Sequence, residues 1–176
     1  MATGGPAKRL LFRAALGPYN VVLGIAARLP WKYSRFLALH ARAERLVERG
    51  DGPRAASFAQ ELLELAERYR DDWNYGNAVH KGHLVLGRVA LMNGDIATAR
   101  AELLLSGGTP GSPQLDSFGP DMRLAKELLE AGEKAIVLEY FELCRRFWAM
   151  GSQNLARWSA AVHESQMPDF GPNLRF

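Results

Sequence analysis

The sequence predicts an all-α chain of antiparallel helical hairpins, stacked as a short solenoid with capping helices at both ends. Three observations lead there. Apolar residues recur at steps of three and four over long stretches, which is the helical period. Glycine corners interrupt those stretches at Gly50, Gly94 and Gly132, spaced 44 and 38 residues apart. Each corner glycine is followed by an acid (Asp51, Asp95, Glu133) and, five positions on, by Ala55, Ala99 or Val137. Helical hairpins repeated at this spacing stack because no single pair can bury its own apolar face. A chain of 176 residues, 48% hydrophobic and 23% charged, is long enough for one domain with a substantial core.

The chain opens with a basic arm, residues 1–35. The first 43 residues hold seven Lys or Arg and no acid, so of a net charge of +3 the remainder carries −4. Such a pole draws an anionic membrane surface or an acidic partner through salt-sensitive electrostatics, or docks on the body's own acidic face. Arg13 and Gly17-Pro18 interrupt the apolar run that a secretory signal needs. The longest uncharged run, Ala14 to Ala27, falls short of the ~20 residues of a bilayer span. The arm is too poor in serine for a transit peptide. What remains is two short helices, Lys8 to Leu16 and Tyr19 to Leu29, with Pro30 as the stop. Val22, Leu23, Ile25, Ala26 and Leu29 can cap the first hairpin. Alternatively they lie in a membrane interface, with Arg28, Lys32 and Arg35 toward head groups and Trp31 and Tyr33 at the boundary. Capping is favoured, because solenoid ends have to be covered.

The helical domain spans residues 36–165. Hairpin one places Phe36, Leu39, Ala43, Leu46 and Val47 on one side, turns at Gly50-Asp51-Gly52-Pro53, and returns with Ala55, Phe58, Ala59, Leu62, Leu63, Ala66 and Tyr69 inward. Asp71 and Asp72 then offer carboxylates to the next helix start. Hairpin two is Trp73 to Met92 and Ile96 to Leu105; hairpin three is Met122 to Ala131 and Lys134 to Trp148. Between them, residues 106–122 form a long loop with Leu115 and Phe118 as apolar anchors, either folded back on the body and walling one end of a groove near the Asn77–His80 face, or a surface loop tethered by Phe118. A last helix, Gln153 to Glu164, closes the far end, and residues 166–176, broken by Pro168 and Pro172, are expected as an extended tail.

Hairpin two resembles a tetratricopeptide repeat, whose pattern is Trp-x2-Leu-Gly-x2-Tyr, then Ala-x3-Phe, then Pro. Leu86-Gly87 matches the Leu-Gly pair, Ala99 the alanine, and Leu103 stands for the phenylalanine; His83 and Ala90 replace the family's Trp and Tyr, and proline comes only at Pro110. Gly87 and Ala99 are small enough for the two helices to approach closely. The resemblance covers Phe36 to Trp148 and implies a helical array that binds peptides or partner proteins on a concave side.

Trp73 to Leu84 is the least generic helix, since Asn77, His80 and Leu84 share one face and His83 stands three residues from His80. A zinc site wants three or four ligands, and no His-Glu-x-x-His or Cys-x-x-Cys accompanies the pair, so no metal is expected. Cys144, the single cysteine, falls at helical spacing with Val137, Phe141 and Trp148 and reads as a small core side chain; a reducing compartment is the simpler assumption. No phosphate loop or nucleophile with its base is present, so catalysis and cofactors are disfavoured. A basic, aromatic arm without a recognised module disfavours nucleic acid. The resemblance and the polar helix together imply a cytoplasmic scaffold or adaptor. Its protein or peptide partner would meet a groove of Asn77, His80, Lys81, Leu84 and Arg88, with Arg28, Trp31, Lys32 and Arg35 as a second contact. The alternatives are a peripheral membrane protein held by the arm and, after it, an enzyme or metal-binding helical protein.

Overall fold

Residues 31–175 are described by the structure, a computed structural model, and they are helical with no strand among them. The expected arm helices and Arg28 lie outside the described residues. In order come α1 (Trp31–Glu48), α2 (Gly52–Arg68), α3 (Tyr75–Met92), α4 (Ile96–Gly107), α5 (Pro113–Phe118), α6 (Arg123–Glu130), α7 (Lys134–Cys144) and α8 (Ser152–His163). Two 3-10 turns, Ala149–Gly151 and Gly171–Leu174, complete the chain. Among the described residues no helix is long and apolar enough to cross a membrane.

Two units divide the chain, Met1–Leu37 and Ala38–Phe176. The described part of the first is the opening of α1, where Trp31 is exposed, Phe36 is buried, and the Tyr33 and Phe36 rings stand 6.1 Å apart.

The three corners share one local structure. Gly50, Gly94 and Gly132 have φ of 76°, 75° and 87°, a conformation that a side chain disfavours and glycine accepts. At each, the glycine N–H donates to the carbonyl three residues back, on Val47, Leu91 or Leu129. The next N–H donates five back, to Leu46, Ala90 or Leu128. That pair of bonds satisfies carbonyls the helix end leaves over. The acid after the glycine then starts the following helix: Asp51 accepts from the Arg54 N–H at 3.3 Å and Asp95 from the Thr98 N–H at 3.0 Å. Glu133 makes no such cap bond. α8 ends with the same two bonds, but Ser165 takes the left-handed position at φ 61°.

Packing divides into two kinds of core. Between α1, α2 and α3 the buried residues are Ala43, Val47, Ala55, Ala59, Val85 and Val89, small side chains that bring backbones close. Between α4, α6, α7 and α8 the core holds Leu103, Leu124, Leu128, Phe141, Trp158 and Phe170. Gly87 permits the α3–α4 approach, because a Cβ there would run into Leu124 and lie against Glu102. Ala99 and Val137 are fully buried.

Four boundaries differ from expectation. α3 starts at Tyr75 rather than Trp73, since the Asp72 carboxylate accepts the Asn74 N–H at 2.8 Å and holds a turn first. α7 ends at Cys144, and Trp148 stands beyond it against Trp158 at 5.7 Å. The 106–122 loop contains α5, started by Ser112, whose hydroxyl accepts the Leu115 N–H; Leu115 is buried as an anchor, but Phe118 is 60% exposed.

The fourth difference is the segment expected as an extended tail, which is packed instead. Phe170 packs against both Phe141 and Trp158, its ring 6.2 Å from the first and 5.0 Å from the second. The Trp158 indole donates to the Asp169 carbonyl, and Asn173 donates to the carbonyls of Phe118 and Pro120. Burying an aromatic such as Phe170 is worth roughly 2–3 kcal/mol, enough to order a segment that prolines keep from being helical.

Candidate functional site

α3 carries the polar residues that single it out, and the 108–122 segment lies across them. Near its start, the Thr109 hydroxyl donates to the Gly76 carbonyl at 2.8 Å, an approach so close that any Cβ on Gly76 would overlap the Gly111 carbonyl. One position on, Asn77 accepts from the Ser112 hydroxyl at 2.6 Å and donates to the side chains of Asn74 and Gln114. A turn further, His80 is fully buried. Its Nε2 accepts the Asp121 N–H at 3.1 Å, which leaves Nδ1 as the nitrogen that donates to the Ser106 carbonyl at 3.2 Å. Two backbone groups thus select one neutral tautomer. Burial, with the Lys81 charge beside it, pushes the imidazole down to about 4.

Lys81 meets two carboxylates, Glu44 at 2.9 Å and Asp121 at 3.0 Å. Arg123 closes the figure, pairing with Asp121, with Glu44 at 2.8 Å and with Glu48 at 3.6 Å. Asp121 is 2% exposed. Burial alone would raise its carboxyl, but Lys81 and Arg123 outweigh it and hold the group at about 2. The Tyr140 hydroxyl donates to the Asp121 carbonyl, so this one residue is held through side chain and both backbone groups. Arg88 forks onto Glu127 at 2.8 and 3.0 Å, and Leu84 is 4% exposed.

The groove expected on α3 is therefore occupied from within the chain. His80 and Leu84 lie beneath the surface, while Asn77, Lys81 and Arg88 spend their polar groups on α5, α1, α6 and Asp121. His80 and His83 do not converge: His83 faces Glu102 at 2.7 Å. Among the described residues no group of three His, Cys, Asp or Glu side chains could hold a metal ion. Burial raises the Cys144 thiol far above its ordinary value, which makes it unreactive as a nucleophile. Of the second expected contact, Trp31 and Lys32 are exposed and Arg35 is half-buried.

A different surface is open. Arg42 and Arg45 lie on α1 and Arg49 just past its end; continued at the helical period the three fall within about 60° of one another and span about 10 Å of the axis. The carboxylates of the same helix, Glu44 and Glu48, lie on another face and are drawn into the Lys81–Arg123 network. Arg54 joins from α2, and the four guanidiniums with Leu46 and Phe58 line a cleft of about 230 Å³. Arg45 donates to the Ala41 carbonyl and Arg54 pairs with Asp51 at 3.2 Å. Among the described residues Arg42 and Arg49 have no carboxylate partner.

A second cleft, of about 420 Å³, is lined by Val47, Glu48, Arg88, Leu91, Met92 and Glu127. Its charges are matched, Arg88 with Glu127 and Glu48 with Arg123. Of these two clefts, it is the first in which arginines lack a carboxylate partner among the described residues. Its signal is present in the sequence as Arg-x2-Arg-x3-Arg over residues 42–49, three cations on one helical stripe. Counting Arg42 as part of the basic arm hides that stripe. No family model matches the chain, and no curated protein or solved structure matches it.

Proposed function

We propose that this protein is a non-catalytic, tetratricopeptide-like adaptor acting in the cytoplasm, which holds an acidic segment of a partner protein in the arginine cleft between α1 and α2. The cleft carries the reading: four arginines line it around an apolar wall of Leu46 and Phe58, and among the described residues the ion pair they make is Arg54 with Asp51. Arginine forks bind carboxylates bidentately, and aromatic and arginine side chains are the usual anchors of interfaces. The three equivalent glycine corners support the repeat part of the reading. The contact face moves from α3, as read in the sequence, to the α1–α2 surface.

Fluorescence anisotropy of the whole protein with a labelled ten-residue Glu/Asp peptide tests this. Binding should weaken steeply with salt and fall at least tenfold in the Arg42→Ala/Arg49→Ala double variant. A neutral Gly/Ser peptide bound equally well, or a double variant that binds unchanged, would overturn it.

A further inference from the structure

We propose that the group the cleft is built for is a phosphate monoester on a side chain of the partner. This rests on the adaptor reading above and names its ligand. Charge count is the first argument. Arg42 and Arg49 lack a carboxylate partner among the described residues, and Arg45 stands between them on the same stripe with its Nε turned to a backbone carbonyl. A carboxylate neutralises one guanidinium and leaves the other exposed to its neighbour. A phosphate monoester carries about −1.5 to −2 at pH 7 and three acceptor oxygens, which matches two guanidiniums from one point.

Size is the second argument. A cleft of about 230 Å³ has room for a phosphate and the few atoms that carry it. Direction is the third. Arg42 and Arg45 come from α1, Arg49 from just past its end and Arg54 from α2, so donors reach the cleft from both of its walls. Leu46 and Phe58 supply the apolar surface against which the stem of the phosphorylated side chain would lie. Recognition of phosphorylated motifs by arginine clusters uses this combination of charge and fork geometry.

The test uses the whole protein and four labelled peptides, identical except for phosphoserine, phosphotyrosine, glutamate or serine at the centre. At least one phosphopeptide should bind tenfold or more tighter than the glutamate peptide, and phenyl phosphate should displace it. Arg42→Ala and Arg49→Ala should each weaken binding at least tenfold, with Arg42→Lys restoring only part. Arg157→Ala removes an exposed charge on α8 and should change binding less than twofold, which separates the cleft from general electrostatics. Unchanged circular dichroism and thermal midpoints show that the variants are folded. If the glutamate and phosphorylated peptides bind equally, the phosphate inference falls and the acidic-segment reading stands. If none binds, both fall. Tighter binding of a uridine 12-mer or of phosphatidylserine vesicles, with the same arginine dependence, would overturn the inference in favour of that polyanion.

Discussion

Helix α1 contributes to two clusters of charge that differ in composition, burial and balance. Inward, Glu44 joins Lys81, Asp121 and Arg123 in a network where each cation meets a carboxylate and Asp121 is almost inaccessible. Outward, Arg42, Arg45 and Arg49 line the cleft together with Arg54, which is paired to Asp51. The inner cluster pairs each cation with carboxylates, so its energy is spent on holding residues 119–123 against α3. The outer one is open and unbalanced, so it costs the fold a little repulsion and gains only when an anion arrives. Polar residues that are unusual in sequence thus divide into those the fold uses and those it leaves over, and function is sought among the latter.

Breaking the inner cluster should have the largest effect. Asp121→Ala takes from Lys81 and Arg123 the more buried of the two carboxylates they share, leaving Glu44; removing one partner of a buried ion pair costs about 3–5 kcal/mol. Urea unfolding should show that loss as a lower midpoint. Acid attacks the same region in two steps. Because His80 has an ordinary value of 6.5 and about 4 when folded, the unfolded chain binds a proton between those values that the folded chain does not. Stability is therefore full above pH 6.5 and declines as pH falls toward 4, by about 3 kcal/mol from this group. Below that, Asp121, at about 2 against 3.8, takes over, and its contribution is lost between pH 4 and pH 2. Urea midpoints across pH 4 to 7 should lose most of their slope in His80→Gln.

Smaller effects belong to contacts between the two extremes. Gly87→Ala forces a methyl into Leu124 where α3 and α4 approach, and overpacking of this kind costs typically 1–3 kcal/mol. Arg88→Ala removes a pair in which Glu127 is one-third exposed, worth no more than about 1 kcal/mol. Thermal melts of the two variants should rank them in that order.

How much of this was legible depends on the distance over which each feature is decided. The corners at Gly50, Gly94 and Gly132 are visible in sequence because a left-handed residue after a helix is a local demand that few side chains meet. Gly87 and Ala99 are legible for a related reason, since close helix approach excludes bulk. The ion network is not, because Lys81 stands 37 residues from Glu44 and 40 from Asp121, and only the packed helices bring them together. That the 106–122 loop lies by the Asn77–His80 face is legible from its length and its apolar anchors, but the bonds by which Ser112, Gln114 and Asp121 take up Asn77 and His80 are not, because they join residues 35 to 41 positions apart. The tail misled in the same way: Pro168 and Pro172 rule out a helix, yet Phe170 between them still finds Trp158.

The smallest expected change in stability is also the one that separates the two clusters most cleanly. Arg49 is exposed just past the end of α1, and its side chain lines the cleft without a carboxylate partner among the described residues. Substitution of such a surface residue usually moves stability by no more than about 0.5 kcal/mol in either direction. Here a slight loss of favourable interaction with the helix end opposes relief of repulsion from Arg45. Arg49→Ala should therefore unfold at the same urea concentration as the parent while losing affinity for an anionic peptide. Asp121→Ala should do the reverse at concentrations of urea where it remains folded, keeping the peptide affinity of the cleft at a much lower midpoint. If Arg49→Ala instead unfolded several kcal/mol early, its guanidinium would belong to the fold as Lys81 does, and the division between spent and unspent charge on α1 would not hold.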